Sequence, residues 1–97
     1  MKIMVLDKVV KIMEKNPELA MEISAHTDDI GSFDYNMQLS QARAQSIVDY
    51  LVSKGIKKWR LVVKGYGEAR PISSKNTEEV RMKNRRVEFT ILNKQNR

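Results

Sequence analysis

The chain contains no cysteine, only two prolines and four glycines among 97 residues, and 6% aromatic residues. Without cysteine there is no disulfide framework, no thiolate zinc site and no cysteine nucleophile; the redox compartment stays open on this count. No low-complexity tract, internal repeat or long linker is present. No apolar run approaches the roughly 20 residues of a membrane span, and no signal-peptide pattern opens the chain. Acidic residues are also in deficit. Eighteen Lys and Arg face twelve Asp and Glu, for a net charge of +6 and a pI near 9.7. That balance suits a nucleic acid or another anionic polymer. What is present in quantity is apolar: 41% of the residues, enough for the single core that this length allows.

Periodicity divides the chain into six elements. From Met4 to Lys15, Val5, Leu6, Val9, Val10 and Met13 share a helical face, which Asn16-Pro17 terminates. Leu19 to Ala25 alternates as a half-buried strand. The polar run His26 to Ser32 reads as a loop leaving the strand end. A long helix is expected from about Tyr35 to Ser53, capped by Ser32 or Asp34 and closed by Gly55. Arg60 to Lys64 forms a short strand, and Gly65-Tyr66-Gly67 with Pro71 marks an irregular connection. Asn76 followed by Glu79 predicts a capped helix reaching Asn84. Val87, Phe89 and Ile91 alternate in a last strand. The order α-β-α-β-α-β places helices on a small sheet.

Three residues fit a bland domain poorly. On a helical wheel Asn36, Leu39, Ser40, Arg43, Ile47, Tyr50 and Leu51 share the long helix's inner face. Arg43 there either pairs with a structural carboxylate, reaches past its neighbours to solvent, or holds its planar fork at a cleft for a carboxylate or phosphate. Asp28, in the loop after the first strand, is either a turn residue bonding backbone N–H groups or a binding group on a rigid scaffold. Together the two would suit a zwitterion, ammonium to Asp28 and carboxylate to Arg43. His26, the sole histidine, is assigned to fixing the loop by hydrogen bonding, because a metal site would need more convergent ligands. No nucleophile elbow or phosphate-binding loop is present, and Gly65-Tyr66-Gly67 lacks the third glycine of a dinucleotide fingerprint.

Taken together, His26-Thr27-Asp28-x-x-Gly31, Tyr35-Asn36-x-x-Leu39-Ser40-x-x-Arg43-Ala44, Gly65-Tyr66-Gly67-Glu68, Pro71 and Asn84-Arg85-Arg86-Val87-Glu88 resemble the OmpA-like C-terminal domain, a peptidoglycan-binding module. The matching text runs from Ile23 to Ile91. The resemblance implies one α+β domain over residues 1–97, an α/β sandwich with helices on one face of a small mixed sheet. It implies a non-catalytic module with no cofactor and no metal. The module would bind the diaminopimelate residue of the peptidoglycan stem peptide and anchor a larger parent protein at the periplasmic face of the outer membrane. Position by position, Asp28 would accept the diaminopimelate ammonium and Arg43 would pair with its carboxylate. Thr27 and Asn36 would line the pocket, and Arg85 would add a cation. Ala25 and Val80 stand where many members carry glycine, and both read as packing variants. The family's first strand precedes the first helix, and Met1 to Met4 are too short to supply it. The N-terminus is therefore read as truncated, with an unpaired sheet edge that invites homodimerisation.

Two other classes compete. Lys54, Lys57, Lys58 and Arg60, with Arg81, Lys83, Arg85 and Arg86, could make a non-specific polyanion or nucleic-acid surface, but no reader motif or aromatic stacking series accompanies them. No nucleic-acid partner and no membrane insertion are therefore expected. A wall hydrolase using Asp28 as base lacks a second carboxylate or metal set.

Overall fold

The computed structural model describes residues 3–93. Its elements are α1 (Ile3–Lys15), β1 (Met21–His26), α2 (Phe33–Ser53), a 3-10 turn (Lys58–Arg60), β2 (Leu61–Gly67), α3 (Glu78–Asn84) and β3 (Arg86–Ile91). The sheet order is β2-β1-β3, with β1 parallel to β2 and antiparallel to β3. A parallel β1–β2 pair needs a crossover, and α2 supplies it. Among the described residues the outer edge of β3 carries no strand partner.

One face of the sheet is buried under α1 and α2. Met21, Ile23 and Ala25 of β1 meet Leu6, Val9, Val10 and Met13 of α1 and Ala44, Ile47, Val48 and Leu51 of α2. The other face is polar. Tyr66 donates its hydroxyl to Glu22 Oε2 at 3.1 Å, and the Arg70 guanidinium lies 3.9 Å from the Tyr66 ring centre. α3 contributes only Asn84 to the interior. The architecture is the expected α+β sandwich.

Several element boundaries differ from the periodicity reading, and four of the differences have a physical reason visible in the contacts. β1 begins at Met21 rather than Leu19, because the turn before it is tied up elsewhere. Arg60 is 6% exposed and donates to the carbonyls of Met13 at 2.9 Å, Asn16 at 2.7 Å and Leu19 at 2.8 Å. It closes the C-terminal end of α1 with a side chain distant in sequence. Gly65-Tyr66-Gly67 is not an irregular connection but the end of β2. A Cβ on Gly65 would lie 2.4 Å from the Gln41 backbone nitrogen and 2.8 Å from Ser40 Oγ, so this glycine permits α2 to lie close on the strand. α2 starts two residues early, at Phe33, with Ser32 Oγ accepting the Tyr35 N–H at 3.1 Å. α3 is capped by Thr77, whose hydroxyl accepts the Val80 N–H, while Asn76 is taken by Arg81 Nη1 at 2.7 Å.

Gly65→Ala should therefore cost about 1–3 kcal/mol through overpacking of backbone against backbone. Urea unfolding checks this, and a loss below about 0.5 kcal/mol would show that α2 yields at this contact.

Candidate functional site

The C-terminal end of β1 opens into the segment Thr27–Ser32, and α2 begins at once after it. Asn36, 2% exposed on the first turns of α2, organises the segment. Its Nδ2 donates to the Ile30 carbonyl at 3.1 Å, to the Asp28 carbonyl at 3.3 Å and to Glu68 Oε1 at 3.0 Å. Thr27 Oγ1 donates to the Asp28 carbonyl at 2.7 Å, and the Thr27 N–H bonds the Gly67 carbonyl at 2.9 Å. The loop is thus fixed from beneath by α2 and from the side by the end of β2.

Asp28 is presented by this frame with its side chain 12% exposed. Oδ1 accepts the Ile30 N–H at 3.0 Å and Oδ2 accepts Arg85 Nη1 at 2.6 Å. Partial burial opposes the charged carboxylate. The Ile30 N–H and the Arg85 guanidinium outweigh that, holding Asp28 below its usual range. Arg85 extends the chain of charge to Glu78 Oε2 at 3.0 Å, and Glu78 Oε1 in turn accepts Arg81 Nε at 3.2 Å.

Two recesses flank this ion pair. One, of about 210 Å³, has Thr27, Asp28, Asp29 and Glu68 on its walls together with Lys75 and Arg81. Both signs of charge therefore meet in one small cavity, a lining that suits a zwitterion better than a simple anion. The second recess is formed by Arg43, Arg85, Arg86 and Val87. Arg85 thus bonds Asp28 at the first recess while lining the second.

The five expected site residues are placed as follows. Thr27 and Asp28 line the first recess; Arg43 and Arg85 line the second. Asn36 lines neither and lies beneath the loop. The wheel reading of Arg43 needs adjustment. The buried stripe of α2 runs through Ser40, Ala44, Ile47, Val48 and Leu51, so Arg43 lies exposed at its margin. Among the described residues it makes no hydrogen bond or ion pair, which leaves its donor fork uncommitted. His26 does not fix the loop. It closes β1 at 2% exposure, stacked on Tyr66 with ring centres 5.3 Å apart, and neither ring nitrogen finds a hydrogen-bond partner among the described residues. Burial, followed by the Arg86 charge, pushes its pKa down against the opposing pull of Glu88. Glu68, Lys75, Arg81 and Asn84 entered the site without having been singled out for it. Glu68 and Asn84 carry a sequence signal, as members of the stretches Gly65-Tyr66-Gly67-Glu68 and Asn84-Arg85-Arg86-Val87-Glu88; Lys75 and Arg81 do not. Among the described residues no group of three or more His, Cys, Asp or Glu converges as a metal site.

A model of the OmpA family matches residues 2–85. Outer membrane protein A of Bordetella avium is 51% identical over 67 residues, 69% of this chain and 34% of that protein. The peptidoglycan-binding protein ArfA of Mycobacterium tuberculosis is 37% identical over 87 residues, 90% of this chain and 27% of that protein. Among solved structures, the cell wall anchor of the type VI secretion system from Pseudomonas aeruginosa superposes with a TM-score of 0.78 at 29% identity, covering 93% of this chain and 65% of that one. The chain spans well under half the length of these curated relatives.

Two pH effects follow from the site. His26 is protonated less readily folded than unfolded, so stability should fall as pH drops below about 6.5, and His26→Phe should remove that slope. An unchanged slope in the variant would contradict the assignment. Asp28 has the opposite chemistry and the same sign: its charged form is favoured on folding, so its contribution is present above its unfolded pKa and lost as pH falls through its lowered folded pKa. Arg85→Ala should raise the Asp28 pKa, read by carboxyl-carbon NMR titration; no upward movement would mean that the ion pair does not form in solution.

Proposed function

This chain belongs to the OmpA family, and we propose that it binds peptidoglycan non-covalently, through the diaminopimelate residue of the stem peptide, as an anchoring module without catalytic activity. The observation that carries this reading is the Asp28 carboxylate. A rigid loop presents it already ionised, on the wall of a cavity of mixed charge, with uncommitted Arg43 in the neighbouring recess. Support also comes from relatives whose names state peptidoglycan binding and cell wall anchoring.

In this reading Asp28 receives the ammonium of the diaminopimelate side chain, and Thr27 shapes the wall beside it. Arg43 takes the carboxylate with its planar fork, and Arg85 supplies a second cation between the two recesses. Asn36 acts by holding the loop. Relatives named as outer membrane proteins support an envelope location for the parent protein, and in this reading the domain lies on the periplasmic side of the outer membrane. Pairing of two copies would use the outer edge of β3.

A few charge-assisted contacts on a small, exposed ligand give micromolar to millimolar affinity, with avidity along the polymer making up the strength of the tether. NMR titration with meso-diaminopimelate, then with a diaminopimelate-containing muropeptide, should shift the amides of Thr27, Asp28 and Arg85 saturably. Asp28→Ala and Arg43→Ala should each weaken binding by about tenfold or more while the fold persists. Two folded variants that bind like the parent would overturn the assignment.

A further inference from the structure

The segment between α2 and β2 has chemistry that peptidoglycan binding does not use. From Tyr50 to Gly67 the chain carries Lys54, Lys57, Lys58, Arg60 and Lys64 and not one Asp or Glu. Arg60 is withdrawn from the surface, its guanidinium spent on three carbonyls. Ile56, 3% exposed, and Arg60, 6% exposed, pin the segment from both sides, and between them Lys57, Lys58 and Trp59 project outward. Trp59, the only tryptophan of the chain, is 75% exposed. An indole fixed in that position by buried neighbours on each side is a standing exposure of a large apolar surface.

The segment lies at the opposite end of the sheet from Asp28. Leu61, Met21 and Ile91 form one row across the three strands, while Gly67, His26 and Arg86 form the row beside the ligand loop. Five residue steps along β1 separate the rows, about 17 Å at the usual strand rise. Ile91 and Leu92, 39% and 49% exposed, add apolar surface at the Trp59 end.

We propose that this end of the domain adsorbs to the surface of an anionic phospholipid bilayer, with Trp59 seated at the headgroup level and Lys57 and Lys58 over lipid phosphates. An exposed indole flanked by lysines is the chemistry of a membrane interface. Lysine ammonium groups act as point charges on a flexible stem, suited to a fluid field of phosphates, whereas directional recognition of nucleic acid favours arginine forks and a series of stacking aromatics. No helix of the described residues is long and apolar enough to cross a membrane, so the contact is superficial. The proposal does not depend on the ligand assigned to Asp28.

Because Trp59 is the sole indole, its fluorescence reports this surface alone. With vesicles of phosphatidylcholine containing 30% phosphatidylglycerol at low salt, its emission should shift to the blue and the protein should sediment with the lipid. Pure phosphatidylcholine vesicles should do neither, and high salt should reverse the effect. Lys57→Ala and Lys58→Ala should each lower the partition coefficient about fivefold, and Trp59→Ala should lower it further by sedimentation, with circular dichroism unchanged. No shift and no sedimentation on the anionic vesicles overturns the proposal. So does equal binding to neutral vesicles, or an equal fluorescence response to soluble DNA or polyphosphate, which would assign the patch to polyanions instead.

Discussion

The close seating of α2 on the end of β2 is the constraint on which the rest of the molecule depends. Ser40, fully buried, accepts the Gly67 N–H at 2.8 Å, and Gly65 leaves no side chain in the way. Gln41 Oε1 accepts the Gly65 N–H at 2.9 Å. With that contact made, the first turns of α2 lie beside the strand end, Asn36 reaches the loop carbonyls, and the Gly67 carbonyl receives Thr27. The loop that carries Asp28 is therefore fixed by the Asn36 side chain of α2 and the Gly67 carbonyl of β2, while Asp28 Oδ1 accepts the Ile30 N–H within the loop. A hydroxyl and two glycines, rather than any large apolar residue, set the geometry of the site.

Electrostatics then refine what packing has placed. Asp28, Arg85, Glu78 and Arg81 alternate in sign through a continuous set of contacts. The pairs to the largely exposed Glu78 add little to stability in water. Their effect is orientational: Arg85 is kept between two recesses instead of sweeping through solvent. Among the described residues Arg43 has no such partner, and its position beside Arg85 and Arg86 makes a concentration of positive charge that an anionic group would relieve.

Sequence periodicity recovered all six elements, because apolar spacing and turn residues report local preference directly. It misjudged what depends on contacts distant in the chain. Arg60 looked like one more basic surface residue, and its withdrawal to the end of α1 shifted the start of β1. Gly65 and Gly67 looked like turn formers because the same residue serves turns and close approach alike. His26 was given a hydrogen-bonding role on chemical grounds, and burial against Tyr66 replaced it. Asp28, Thr27, Arg43 and Arg85 were legible as candidates through the resemblance of their motifs. Their division between two recesses was not, since that depends on how β3 and α3 meet the loop in space. Lys75 and Arg81 come from segments whose spacing alone does not point toward Asp28.

The central position of β1 has a mechanical meaning. Asp28 follows the end of this strand by two residues, and β1 is bonded on one side to β2 and on the other to β3. Tension applied at the loop and resisted at the far end of the sheet acts along the strand axis, so both ladders are loaded in shear and their hydrogen bonds share the force together. A strand at the edge, peeled sideways, would release them one after another. If Asp28 grips a polymer as proposed, the load on a weak bond is passed to a strand held along both of its edges.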